Sequence, residues 1–148
     1  MKEIACETVT AEIARLCQEA NTYLAPDLVA ALRQARGLEE SPAGQAVLEE
    51  LLDNARIAAE QKLSICQDTG MAVVFAEIGQ EVHITGGSLT DAINAGVARG
   101  YTEGFLRASV VSDPLLRQNT GDNTPAVIRP AGKEEYLYIL MPMHVDGK

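Results

Sequence analysis

Apolar residues recur at helical spacing through the first 62 positions of the chain, and the pattern then changes to that of strands. Val9, Ile13, Leu16, Cys17 and Ala20 lie three or four residues apart and line one face of a first helix. A second helix opens at Pro26, carries Leu28, Ala31, Leu32 and Ala35, and ends at Gly37, with Arg33 and Arg36 in its last turn, where cations complement the helix dipole. The third begins with Ser41 as cap and Pro42 at the first helical position, and its stripe runs through Leu48, Leu51, Leu52, Ala55 and Ala58 or Ala59. From Met71 to Ile78 the residues turn β-type, and Gly79-Gln80 predicts a hairpin turn into a second strand, Glu81 to Thr85.

Ser88-Leu89-Thr90-Asp91 starts a further helix that the pattern extends to about Arg107 or Val110. Gly96, Gly100 and Gly104 recur along it at every fourth residue, while Ile93, Val97, Tyr101 and Phe105 form the opposite, apolar face. Each interior glycine costs a helix about 0.8–1 kcal/mol relative to alanine, so a regular stripe predicts close approach of another backbone or of a ligand. Val111 to Thr124 reads as a polar loop. Two short strands follow, Ala126 to Arg129 and Tyr136 to Met141, joined by a turn at Ala131-Gly132-Lys133. The fold class is therefore α+β: N-terminal helices, then a small mixed or antiparallel sheet with one long glycine-striped helix, all within residues 1–148 as a single domain.

Composition narrows the function. Apolar residues make up 47% of the 148, which excludes a disordered chain, and Trp is absent. Twelve basic residues against 21 acidic ones, spread evenly, argue against nucleic acid or an anionic membrane as partner, though not against a small anionic substrate. Cys6, Cys17 and Cys66 are odd in number and lack CxxC spacing, which fits a reducing, cytoplasmic setting rather than a disulfide framework. No apolar run is long enough to span a membrane. Cys17 falls on the apolar stripe of its helix and reads as core; His83 lies within a strand and is assigned no chemistry.

Two segments could carry chemistry. Cys66-Gln67-Asp68-Thr69-Gly70 sets a thiol, an amide and a carboxylate side by side at a junction of apolar elements. Alone, it reads more plainly as a free cysteine before an Asp-Thr-Gly turn. In the second segment, Arg107 reads as one rung of an Arg99, Glu103, Arg107 ladder on a solvated helix face, and Asn119 to Pro125 as a loop knit by its own Asn, Asp and Thr side chains.

Taken together, Cys66 to Gly70, Leu106-Arg107-Ala108-Ser109-Val110-Val111, Asp113-Pro114-Leu115 and Arg117 through Pro125 resemble the class I fumarate hydratases and the related L-tartrate dehydratases, which are iron–sulfur hydro-lyases. The resemblance spans roughly residues 40 to 130, with its motifs in order. It implies that Cys66 is one of three cysteine ligands to a 4Fe-4S cluster whose open iron acts as a Lewis acid. It further implies that Gln67 hydrogen-bonds the substrate and that Asp68 does acid/base work or orients the residue that takes the C3 proton. Arg107 would grip a substrate carboxylate in fork geometry, and the Asn119 to Pro125 loop would support the site.

The family's two other cluster cysteines lie downstream of this region, and Cys6 and Cys17 do not match them. Where relatives continue with a Pro-Lys-Gly-Gly-Gly-type stretch, this chain has Pro142-Met143-His144-Val145-Asp146-Gly147-Lys148. The resemblance therefore implies an N-terminal portion of the enzyme, inactive by itself. Its expected partners are a dicarboxylate substrate and the rest of the enzyme or a second subunit, in a homo- or hetero-oligomer.

Overall fold

A computed structural model describes residues 2–131 and 137–139. In chain order the elements are β1 (Lys2–Ala5), α1 (Cys6–Thr22), α2 (Pro26–Leu38), α3 (Pro42–Gln61), β2 (Val73–Glu77), β3 (Val82–Thr85), α4 (Leu89–Glu103), β4 (Val111–Asp113), β5 (Gln118–Asn119), β6 (Val127–Ala131) and β7 (Leu137–Ile139). The α+β class holds, with the mixed form of sheet: β2 is central, parallel to β6 and antiparallel to β7. The predicted turn at Ala131-Gly132-Lys133, the ends of the strand predicted over Tyr136 to Met141, and residues 142–148 fall wholly or partly outside the described residues. No helix among the described residues is long and apolar enough to cross a membrane.

The chain divides into two compact units, one of residues 1–20 and 68–148, the other of residues 21–67. The first holds the core. Ile13 and Cys17 of α1, Ala72 and Val74 around β2, and Ile93, Val97 and Tyr101 of α4 are all buried in one cluster. The glycine stripe explains how α1 and α4 come so close. A Cβ on Gly96 would stand 2.5 Å from Ile13 Cβ, and one on Gly100 would stand 2.8 Å from the Ala14 carbonyl oxygen and 2.9 Å from Cys17 Cβ. The approaching backbone is that of α1.

The second unit is thinner. Ser41 caps α3 by accepting from Gly44 N at 3.4 Å, as its position ahead of Pro42 predicts, and an Arg36–Glu49 ion pair joins α2 to α3. Ala55 and Ala58 are buried on α3, α2 buries no residue, and Leu28, Leu38, Val47, Leu51 and Ile57 stay exposed.

Four expectations need correction. The N-terminal segment opens with a strand before its helix, since β1 pairs in parallel with β3 from Lys2↔Val82 to Ala5↔Thr85. For the same reason β2 and β3 form no hairpin. The turn itself exists, with Val82 N donating to Gly79 O at 3.0 Å, but both edges of β2 are taken by β6 and β7. α4 stops at Glu103, where Phe105 enters the left-handed region (φ 53) and Leu106 N donates back to Tyr101 O at 2.9 Å. Leu106 packs against the core in place of Phe105, which is 94% exposed, so the apolar face ends at Tyr101. Finally, the polar loop contains a two-stranded ribbon, β4 with β5.

Two stability predictions follow from this packing. Gly100→Ala must push its new methyl into the α1 backbone and should lower unfolding stability by about 1–3 kcal/mol in urea titrations. Gly37→Ala, in α2 with nothing within 4 Å, should instead raise it by about 0.4–1 kcal/mol.

Burial pushes the Cys17 thiol up to about 12, whereas an unfolded thiol ionises near the ordinary 9.0. The neutral thiol is the form the folded core favours, so its stabilisation is complete below about pH 9 and is lost as pH rises towards 12, at about 1.4 kcal/mol per unit. Cys17→Ala should flatten the stability-against-pH curve in that window; an unchanged slope would remove Cys17 as its source.

Candidate functional site

Cys66 and Gln67 are placed by the way the second unit ends. After α3 the chain turns through left-handed Lys62 (φ 54), and Leu63 N donates to Ala58 O at 3.0 Å. Ile65 is then pinned on both sides: its N–H donates to Asn21 O and its carbonyl accepts from Asn54 Nδ2, each at 2.8 Å. Cys66 and Gln67 follow on a bend, both exposed, and Cys66 is a free thiol.

The three cysteines differ as metal donors. Cys66 is open to a metal on an anchored bend and fits as one ligand. Cys17 is fully buried in the apolar core with its thiol held protonated, which suits packing and not ligation. Cys6 directs its thiol to the Ser88 carbonyl at 3.7 Å. Among the described residues no three His, Cys, Asp or Glu side chains converge to hold a metal ion.

Asp68 and Arg107 belong to the first unit, and the structure brings their segments together. Ser109 Oγ donates to Asp68 Oδ1 at 3.1 Å, Gly70 N closes a turn on the same oxygen at 3.3 Å, and Thr69 Oγ1 donates to the Arg107 carbonyl at 2.8 Å. The Asp68 and Arg107 side chains are both exposed. Arg107 is not on α4, so the three-rung ladder reduces to Arg99–Glu103 at 3.1 Å. Its guanidinium makes no ion pair among the described residues.

Asn123 holds this arrangement in register. Its side chain is 0% exposed; Oδ1 accepts from both Ser109 N (2.6 Å) and Val110 N (3.0 Å), while Nδ2 donates to Gly70 O at 3.0 Å. One amide thus ties the segment after Asp68 to the segment after Arg107. Tyr101 Oη reaches the Thr69 and Gly70 carbonyls at 3.4 and 3.3 Å from below. Around it, Asn119 Nδ2 donates to Ala108 O at 2.8 Å and Thr120 N to Val110 O at 3.0 Å. The Thr124 hydroxyl and amide both donate to Asp122 and hold its carboxyl below the usual carboxylate range. The Asn119 to Pro125 loop is therefore structural support, as expected. What sequence reasoning missed is that the buried Asn123 bridges both motifs, and that Ser109 reaches Asp68. The repeated Asn and Asp of the loop were the available signal, but they do not say which one is buried.

Comparison with known proteins adds a line of support independent of this geometry. The fumarate hydratase (Fumerase) family model matches residues 10–144. The chain belongs to the fumarate hydratase family. It is 33% identical over 120 residues to the "Putative L(+)-tartrate dehydratase subunit alpha" of Methanocaldococcus jannaschii, covering 78% of this chain and 42% of that protein. It is 41% identical over 81 residues to the anaerobic class I fumarate hydratase of Escherichia coli, covering 53% of this chain and 15% of that one. A "Putative fumarate hydratase class I" from Geobacillus stearothermophilus is 30% identical over 138 residues, which is 90% of this chain and 26% of the relative. The chain thus spans less than half the length of each of these relatives.

Replacing Asn123 tests its bridging role. Asn123→Ala leaves the Ser109 and Val110 amides unpaired and the Gly70 carbonyl with only the Tyr101 hydroxyl, and should cost about 3–5 kcal/mol, with faster hydrogen exchange at Ser109 and Val110. Asn123→Gly tolerates the positive φ of 63° but restores no bond, so it should recover only about 1–2 kcal/mol of that loss. A recovery that is nearly complete would assign the residue to backbone conformation alone.

Proposed function

We propose that this chain is the N-terminal portion of an iron–sulfur hydro-lyase that reversibly hydrates a four-carbon dicarboxylate of the fumarate/L-malate type. The observation that carries the reading is the hydrogen bonding of Asp68 to Ser109 and of Thr69 to the Arg107 carbonyl, which joins residues of the two family-like motifs within the first unit. Family membership over residues 10–144 supports the reaction class.

Each residue has a task suited to its setting. Asp68, exposed but oriented by Ser109, takes the C3 proton of the hydroxy acid or orients the group that does, and returns it in the hydration direction. Arg107 offers a guanidinium without an ion pair among the described residues, on a backbone anchored by Thr69, to a substrate carboxylate. Gln67 hydrogen-bonds the substrate from the exposed bend. Cys66 gives one thiolate to a 4Fe-4S cluster; the remaining ligands and the rest of the substrate pocket come from the remainder of the enzyme or a second subunit. When bound, such a cluster supplies a Lewis-acidic iron that makes hydroxide a feasible leaving group. The chain alone is accordingly inactive.

A second reading, an L-tartrate dehydratase subunit, is favoured by the Methanocaldococcus relative, which is named as an alpha subunit. Fumarate and tartrate share the carboxylates that Arg107 would hold, so assays on both substrates separate the readings.

The test uses the complete, anaerobically reconstituted assembly. Asp68→Asn should lower turnover by about 10²–10⁴-fold with iron content near that of the parent protein. Cys66→Ser should abolish the cluster absorbance itself. Full activity in Asp68→Asn, or an intact cluster in Cys66→Ser, overturns the corresponding assignment.

A further inference from the structure

An exposed carboxylate such as that of Asp68 ordinarily turns about its last side-chain bond and exchanges its two oxygens. Here the two oxygens are not equivalent. Oδ1 accepts from Ser109 Oγ at 3.1 Å and from Gly70 N at 3.3 Å. A carboxylate oxygen offers about two lone-pair sites, so these donors fill Oδ1. Oδ2 accepts no hydrogen bond among the described residues, and both of its lone pairs stay open.

The two donors differ in what fixes them. The Gly70 amide lies two residues along the chain, so its bond is a local turn that moves with Asp68 itself. Ser109 lies 41 residues away, on another segment. Its own amide donates to the buried Asn123 Oδ1 at 2.6 Å, and the Val110 amide donates to the same oxygen at 3.0 Å. The Ser109 hydroxyl is therefore held from outside the Asp68 turn and orients the carboxylate against a buried anchor. An ionised carboxylate can only accept, so the hydrogen in this bond is the serine's.

We propose that Ser109 is a positioning residue that divides the labour of the Asp68 carboxylate: Oδ1 is anchored, and Oδ2 is the oxygen turned to the reacting carbon. The assignment rests on the hydro-lyase function proposed for the chain. In dehydration the C3–H bond breaks and its electron pair becomes the second bond between C2 and C3. The C2–O bond breaks with its pair, which leaves as hydroxide. The proton goes to Oδ2, or to a group that Oδ2 orients, and returns from there in hydration. Oδ1 could take it only by giving up one of its two donors. Without the Ser109 hydroxyl the carboxylate turns more freely, and the reacting oxygen is in place for only part of the time.

The test compares Ser109→Ala and Ser109→Thr in the complete, anaerobically reconstituted assembly with L-malate. Ser109→Ala keeps the backbone amide that Asn123 holds, so circular dichroism and Tm should match the parent. Its kcat should fall about 10–100-fold with KM within about twofold, and Ser109→Thr, which keeps the hydroxyl, should recover most of the loss. With L-malate deuterated at C3, the isotope effect on kcat should be larger in Ser109→Ala than in the parent, because proton transfer becomes the slow step. Parent-like kcat in Ser109→Ala, a rise in KM alone, or no recovery in Ser109→Thr overturns the assignment. If Ser109→Ala is fully active while Asp68→Asn is not, Ser109 loses its role and the hydro-lyase reading stands; full activity in both removes both. A crystal structure of the parent assembly with bound succinate decides without any variant. The Asp68 oxygen not bonded to Ser109 should be the nearer to the succinate carbons, and the Ser109-bonded oxygen facing them overturns the proposal.

Discussion

A single buried side-chain amide sets the geometry on which the candidate site depends. Asn123 has no solvent to fall back on, so its oxygen and nitrogen must find partners within the protein. They find them on two segments far apart in the chain, at Gly70 and at Ser109-Val110. Once those are joined, the Ser109 hydroxyl lies against Asp68, and Thr69 against the carbonyl of Arg107. The exposed groups suited to chemistry are thus oriented by polar bonds beneath them.

The platform under that amide is apolar and unusually tight. Gly96 and Gly100 let α4 seat directly on the backbone of α1, and Tyr101, one residue further on, reaches up to the Thr69 and Gly70 carbonyls. Helix packing and site geometry are therefore mechanically continuous in this unit. The helical unit is built differently, with small buried residues on α3, none on α2, and many apolar side chains left exposed.

The local signals were the legible ones. Capping by Ser41, the proline at Pro42, the apolar stripe of α1 with Cys17 in it, and the glycine stripe of α4 could all be read, because each depends on residues within a few positions. What could not be read was strand partnership. Residues Val82 to Thr85 look like the return arm of a hairpin, yet they pair with Lys2 to Ala5, since β2 is already flanked on both edges. The end of α4 was misread because its pattern continues formally through Phe105, while the folded chain gains more by burying Leu106 and turning there. The candidate site residues could be named from the family resemblance. The bridging role of Asn123 could not, because it requires knowing which of several similar polar residues is enclosed.

The central position of β2 governs the order in which the protein can be assembled. Its hydrogen-bonding partners on both sides, Val127–Ala131 and Leu137–Ile139, come more than fifty residues later, and β1 must wait for Val82–Thr85. Such distant pairings close slowly, because the loop entropy is lost before any contact compensates it. The α2–α3 pair, by contrast, uses only near neighbours in the chain. During synthesis the helical segment is thus complete while β2, with Val74 and Ala76 at its centre, still lacks both flanking strands. In that interval a bare apolar strand is a substrate for chaperones and a nucleus for aggregation.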